Sequence, residues 1–207
     1  MRRCPLWVAA LCGALISATA FAGEATKTGI IKGTITIAGR PAADVVVSVE
    51  GVPQEKNKTQ LSGGKPKAVM EQKDLKFIPR VLAVVAGTTV EFPNNDKTFH
   101  NVFSNSDAKK FDLGLYPSGQ SRSATFDKAG VVKILCNAHP HMEAYIVVKN
   151  HLYFSIADAR GNYNLSGVPL GKYRVEVWHP ELGTSVTPVE VAHEGEVLGI
   201  DIDLKKK

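Results

Sequence analysis

Residues 131–142 read VVKILCNAHPHM. Val132, Ile134 and Cys136 fall on one face of an alternating run, the period of a half-buried β-strand. The run ends in a loop, Cys136-Asn137-Ala138-His139-Pro140-His141-Met142, that crowds a thiol, two imidazoles and a thioether together. The same two-residue period recurs on either side. Val90 and Phe92 precede Pro93-Asn94-Asn95-Asp96, and Tyr173, Val175 and Val177 repeat the pattern. Ile31, Ile35 and Ile37 do so near the start, Leu198, Ile200, Ile202 and Leu204 near the end, and Val45, Val47 and Val49 in part. Turn residues fall between these runs at Gly39-Arg40-Pro41, Ala86-Gly87, 158–161 and 168–171. No segment beyond the N-terminus sustains a 3.6-residue apolar period. The pattern implies an all-β chain, sandwich or barrel.

Export is expected from the first 22 residues. Arg2 and Arg3 form a basic start, Leu6 to Ser17 an apolar stretch, and Ala20-Phe21-Ala22 a small-x-small cleavage site before Gly23. Cleavage after Ala22 leaves no apolar run of bilayer length. Of 207 residues, 44% are hydrophobic and 22% charged, the balance of a globular protein. The net charge of +5 falls by the two leader arginines on cleavage, too mild for nucleic acid, and no stretch interleaves basic and aromatic residues. There is no P-loop, no G-x-G-x-x-G and no G-x-S-x-G. Cys4 and Cys12 leave with the leader, so Cys136 is the one mature thiol. In an oxidising compartment a lone thiol is either buried and inert or held by a metal.

A second histidine region lies 36 residues before Cys136, in Phe99-His100-Asn101-Val102-Phe103 after another strand. One thiolate, two imidazoles and a weak thioether form the donor set of a mononuclear blue-copper site. The candidate ligands are His100, Cys136, His139 and Met142, holding one copper per chain. Taken singly, Cys136 reads as a small buried hydrophobe, His100 as a hydrogen-bonded core histidine and Met142 as core filler. Zinc competes for Cys and His, yet structural zinc sites carry more thiolates and seldom Met. His141 competes with His139 for the second imidazole position. His139 leaves residues in which the chain can turn before Met142, and His141 is then a rim residue.

At these residues the sequence resembles the cupredoxins, most closely the amicyanin and plastocyanin branch. The C-x2-H-x2-M spacing, Pro140 after the His and the pair His100-Asn101 carry the resemblance, which extends by motif order from Ala68 to Val148. It implies that Asn101 braces the Cys loop through a hydrogen bond. Asn137, where Ser or Thr is common, and His141, in place of an apolar residue, depart from the family. The flanks resemble a transthyretin-like, carboxypeptidase regulatory-like β-sandwich. Gly33-Thr34-Ile35-Thr36 through Val49 and Asp158 through Tyr173 carry that likeness. The joint arrangement is similar to methylamine-utilisation or plastocyanin-like periplasmic proteins. The expected organisation is a leader at 1–22, a split sandwich at 28–52 and 150–205, a linker at 53–67 and an inserted Greek-key cupredoxin sandwich at 68–149. The alternative makes residues 24–52 extra strands of the cupredoxin.

The resemblance implies a periplasmic one-electron carrier and, as partners, a cytochrome c or a periplasmic dehydrogenase. Copper storage, delivery or sensing is the alternative, with His141, His151 and His179 as its only sequence support. A structural module with a vestigial site is a third reading. An enzyme is disfavoured, since the one H-x-H, His139-Pro140-His141, is already used by the proposed site.

Overall fold

The computed structural model describes residues 27–53 and 66–205. The leader with Cys4 and Cys12, most of the polar 53–67 stretch and the last two lysines lie outside the described residues. Among the described residues all regular structure is β-strand, and no helix is long and apolar enough to cross a membrane.

Two cores organise the strands. One sheet of the first body runs β15 (Asn162–Pro169), β1 (Thr28–Ile37), β18 (Val197–Gly199), with β2 (Arg40–Pro41) and β19 (Ile202–Leu204) also on β1. The other runs β14 (Phe154–Ile156), β3 (Val46–Glu50), β16 (Gly171–His179), β17 (Gly183–Val191). Between them lie Ile31, Ile35, Tyr163, Leu165, Val175 and Val177. The second body has a sheet of β10 (Lys109–Tyr116), β9 (His100–Ser106), β12 (Gly130–Leu135), β13 (Glu143–Lys149) and β7 (Val81–Val85). It faces β11 (Ser121–Phe126), β8 (Thr88–Pro93) and β4 (Lys67–Val69), and carries the hairpin β5 (Glu71–Lys73)–β6 (Lys76–Ile78). Phe92, Val102, Phe126, Ile134 and Ile146 fill this Greek-key sandwich. Among the described residues, β1 and β3 pair with strands after residue 153, β2 pairs with β1, and none of the three pairs with a strand between 67 and 149.

Local chemistry explains where the strands depart from the sequence pattern. Val45, Val47 and Val49 alternate only in part because β3 is covered on both faces. Those three enter the first core, while Val46 packs with Val81, Val147 and Trp178 where the two bodies meet. The expected strand from Leu198 to Leu204 breaks after Gly199. There the Asp201 carboxylate accepts the Thr34 amide at 2.7 Å, replacing a backbone acceptor. Residues 76–85 form two strands and not one, because Pro79 has no N–H for a ladder. β6 then stays with β5, and β7 starts parallel pairing with β13. In the 158–161 turn, Gly161 has φ +78° and a Cβ there would sit 2.3 Å from the Ile35 carbonyl oxygen, so glycine is required.

The junction combines apolar and ionic contacts. Trp178 meets Tyr145 edge to face, with ring centroids 5.4 Å apart. Lys149 bridges Glu50 and Glu176 at 2.8 Å each. Arg80 lies 3.2 Å from Asp44 and 3.3 Å from Glu181. Trp178→Ala is expected to cost about 3–5 kcal/mol, read as a lower thermal midpoint. Glu50 supplies a pH test. Its carboxyl is held well below the ordinary value of 4.5, first by the His151 hydrogen bond and, against partial burial, by Lys149. A depressed pKa stabilises fully above the unfolded value and is lost as pH falls below it. Glu50→Gln is therefore expected to destabilise the protein at neutral pH, and the deficit should shrink below about pH 4.5 in urea unfolding series.

Candidate metal centre

Strand ends place the donors. His100 opens β9, paired across the sheet with Tyr116. Cys136 follows directly on β12, whose last residue, Leu135, pairs with Phe103 of β9. The loop after Cys136 is closed by the Met142 amide donating to the His139 carbonyl at 2.9 Å, and β13 starts at Glu143. Two ligand-bearing segments thus meet at one end of the sandwich because their strands are neighbours.

The three donor atoms converge. His100 Nδ1 and His139 Nδ1 are 3.1 Å apart, and Cys136 Sγ is 3.9 Å from each. A point equidistant from the three atoms lies about 2.1 Å from each, the length of a bond from a first-row metal to imidazole nitrogen or thiolate. Cys136 is a free thiol. His100, Cys136 and Met142 are buried, His139 is half-buried and His141 is exposed. Of the two loop histidines, the cluster therefore contains His139. Met142 packs in the same core cluster as Cys136. The zinc alternative would use one thiolate, fewer than structural zinc sites usually carry. A soft sulfur with two imidazoles, in a chain with a buried Met beside them, fits copper.

Surrounding groups hold the donors in place. The Asp96 carboxylate lies 3.0 Å from His100 Nε2. Two backbone amides keep that carboxyl ionised, Leu75 foremost and then Lys97, with His100 adding to them, and its pKa is lowered to about 2. An ionised carboxylate only accepts, so His100 carries its proton on Nε2 and presents the Nδ1 lone pair to the cluster. The Leu75 amide comes from the turn of the β5–β6 hairpin, where Asp74 and Leu75 both have positive φ, 52° and 55°. Asn101 braces the other segment. Its Oδ1 accepts the Asn137 amide at 3.3 Å, and its Nδ2 donates to Asp112 at 2.6 Å.

The sequence pattern singled out all four candidate ligands and the family resemblance pointed to Asn101, but neither pointed to Asp96 or Leu75. Asp96 has one signal in the sequence, a carboxylate four residues before His100, which reads first as part of a turn. Leu75 has none, because it acts through its backbone N–H. His151 and His179 sit far from the cluster along the fold: His151 faces Glu50 at 3.4 Å, and His179 ends β16, where its Nδ1 accepts the Glu181 amide.

Residues 64–149 match the family model of copper binding proteins, plastocyanin/azurin family. That match supports a cupredoxin domain in this segment and, with the donor set, assigns copper to the site. Among solved structures, the chain is similar to a purple cupredoxin from Nitrosopumilus maritimus, with 24% identity, 40% of this chain and 99% of that one covered, and TM-score 0.37. It is similar to a Cu-containing nitrite reductase from Thermus scotoductus at 27% identity, covering 42% of this chain and only 23% of that one, with TM-score 0.39. A reduced amicyanin variant aligns at 22% identity over 50% of this chain and 98% of that one, with TM-score 0.38. No curated protein matches the chain.

Asp96→Asn tests the support of His100. The amide no longer fixes the tautomer, so copper affinity is expected to fall about 10–100-fold, measured by competition with a chromophoric chelator.

Proposed function

We propose that this protein is an exported one-electron carrier whose copper is held by His100, Cys136, His139 and Met142. The triangle of two imidazole nitrogens and one sulfur carries this reading. Copper, when bound, supplies a Cu(II)/Cu(I) couple. The residues keep that couple fast. His100 and Cys136 are anchored on strand ends, Asp96 and Asn101 hold each side, and little in the frame needs to move when charge changes. Burial of Cys136 and Met142 excludes water, while the half-buried edge of His139 gives electrons a short way out.

The leader and the lone thiol support a periplasmic location. A cytochrome c or a periplasmic dehydrogenase is the partner class by resemblance to amicyanin-like proteins. We assign the outer sandwich, 28–52 with 150–205, to the carboxypeptidase regulatory-like type, with the copper unit of 68–149 inserted in it. Its role is to frame docking. No reaction is assigned to the chain itself, because its single H-x-H lies within or beside the one proposed site. Copper storage or delivery is the second reading, favoured by the exposed His141 next to the cluster.

Visible absorption and EPR spectra with one equivalent of Cu(II), on the protein and on Cys136→Ser, test this reading. An intense red-region thiolate-to-copper band with narrow hyperfine splitting, lost in the variant, is expected. A pale, ordinary Cu(II) spectrum that survives the substitution would remove the carrier reading and leave copper handling.

A further inference from the structure

The described part of the site has one accessible side. His100, Cys136 and Met142 are 0%, 3% and 1% exposed, so an ion must arrive past His139. A hydrated Cu(II) ion cannot simply enter such a pocket. Each water it sheds must be replaced by a ligand, or the bare charge is stranded in an apolar surrounding.

A cleft of about 560 Å³ opens beside the ligand loop, lined by 74–77 of the β5–β6 hairpin, Arg80 and 141–143. Two of its charged groups are engaged. Arg80 is paired with Asp44 and Glu181, and Glu143 with Lys133 at 2.9 Å. Two metal-binding side chains in the cleft hydrogen-bond to no other described residue: the His141 imidazole and the Asp74 carboxylate. The floor is Phe77 and Met142, both buried. His141 is exposed, and its ring centroid lies 6.2 Å from that of His139 across Pro140, whose fixed φ limits how far the rings can separate.

We propose that His141, with Asp74 lining the same cleft, forms a copper-loading site that captures Cu(II) and passes it to His139. This inference rests on the copper reading above. Imidazole and carboxylate both bind Cu(II), so His141 and Asp74 replace departing waters one at a time before the ion goes under cover. His141 then yields to His139, and the ion settles against His100 and Cys136, which are already in place. The oxidation state is unchanged: the waters return to solvent, and the Cys136 thiol releases its proton to solvent as its sulfur binds. His141 is thus a kinetic ligand, absent from the final set.

Stopped-flow mixing of metal-free protein with copper(II) sulfate tests the proposal, following growth of the thiolate-to-copper band. His141→Ala is expected to fill about tenfold more slowly and to reach the same final band, because it removes no ligand of the finished site. Asp74→Asn should fall between the two. At two equivalents of copper, EPR of the unsubstituted protein should show an additional ordinary Cu(II) signal that His141→Ala lacks. Filling of His141→Ala at the unsubstituted rate, with the second signal intact, would overturn the loading site and leave the copper reading standing. A protein that forms no thiolate-to-copper band at any rate would overturn both.

Discussion

Two imidazole nitrogens and a thiol sulfur are held within bonding distance of one common point, and nearly everything near them serves to keep them there. At 3.1 Å the two Nδ1 atoms oppose each other unless a proton or a cation lies between them. A freely rotating histidine would turn away. His100 cannot, since its far nitrogen is tied to an ionised Asp96 and its backbone is locked in a sheet. The Cys136 segment is tied through Asn101 to Asp112, so the loop that carries His139 cannot back off. The frame thus keeps two imidazoles and one sulfur aimed at a common point, the arrangement a metal ion would use.

The two bodies depend on the same logic of covered faces. β3 is covered on both sides, with Val47 and Val49 in the first core and Val46 on the opposite face, and the second body supplies the cover for Val46. The polar contacts of the junction, Lys149 between two glutamates and Arg80 among carboxylates, balance charges that partial burial would otherwise leave costly.

The all-β class is visible in the sequence because a period of two marks the longer runs, such as the one ending in Cys136 and the one from Tyr173 to Val177, whereas strands of two or three residues such as β2 and β14 carry no period to read. Val132, Ile134 and Cys136 predict both a strand and the direction of the thiol, and the structure buries all three. What the pattern misses is carried by groups that have no periodic signature. The Asp201 carboxylate takes a backbone acceptor's place in the ladder, and Pro79 ends β6 by lacking a donor. Val46 looks like a solvent-side residue until a second body covers it. At the site, the ligands are legible because their chemistry is rare in combination. The support from Leu75 is not, because every residue but proline has the same N–H and only the fold decides which one reaches Asp96.

The arrangement of strands along the chain also dictates an order of events. The copper-bearing body is one continuous stretch, and its closures are short. β1 must wait for β15, whose paired residues Thr34 and Asn162 stand more than a hundred positions apart. Closing that long a loop early costs more chain entropy than closing the inner one, and it becomes cheap only after the intervening segment has collapsed. The inner sandwich therefore acts as the folding clasp of the outer one. Its completion brings the ends of the intervening stretch together and delivers β3 to β16, so a lesion in the inner body reaches the assembly of the outer strands as well.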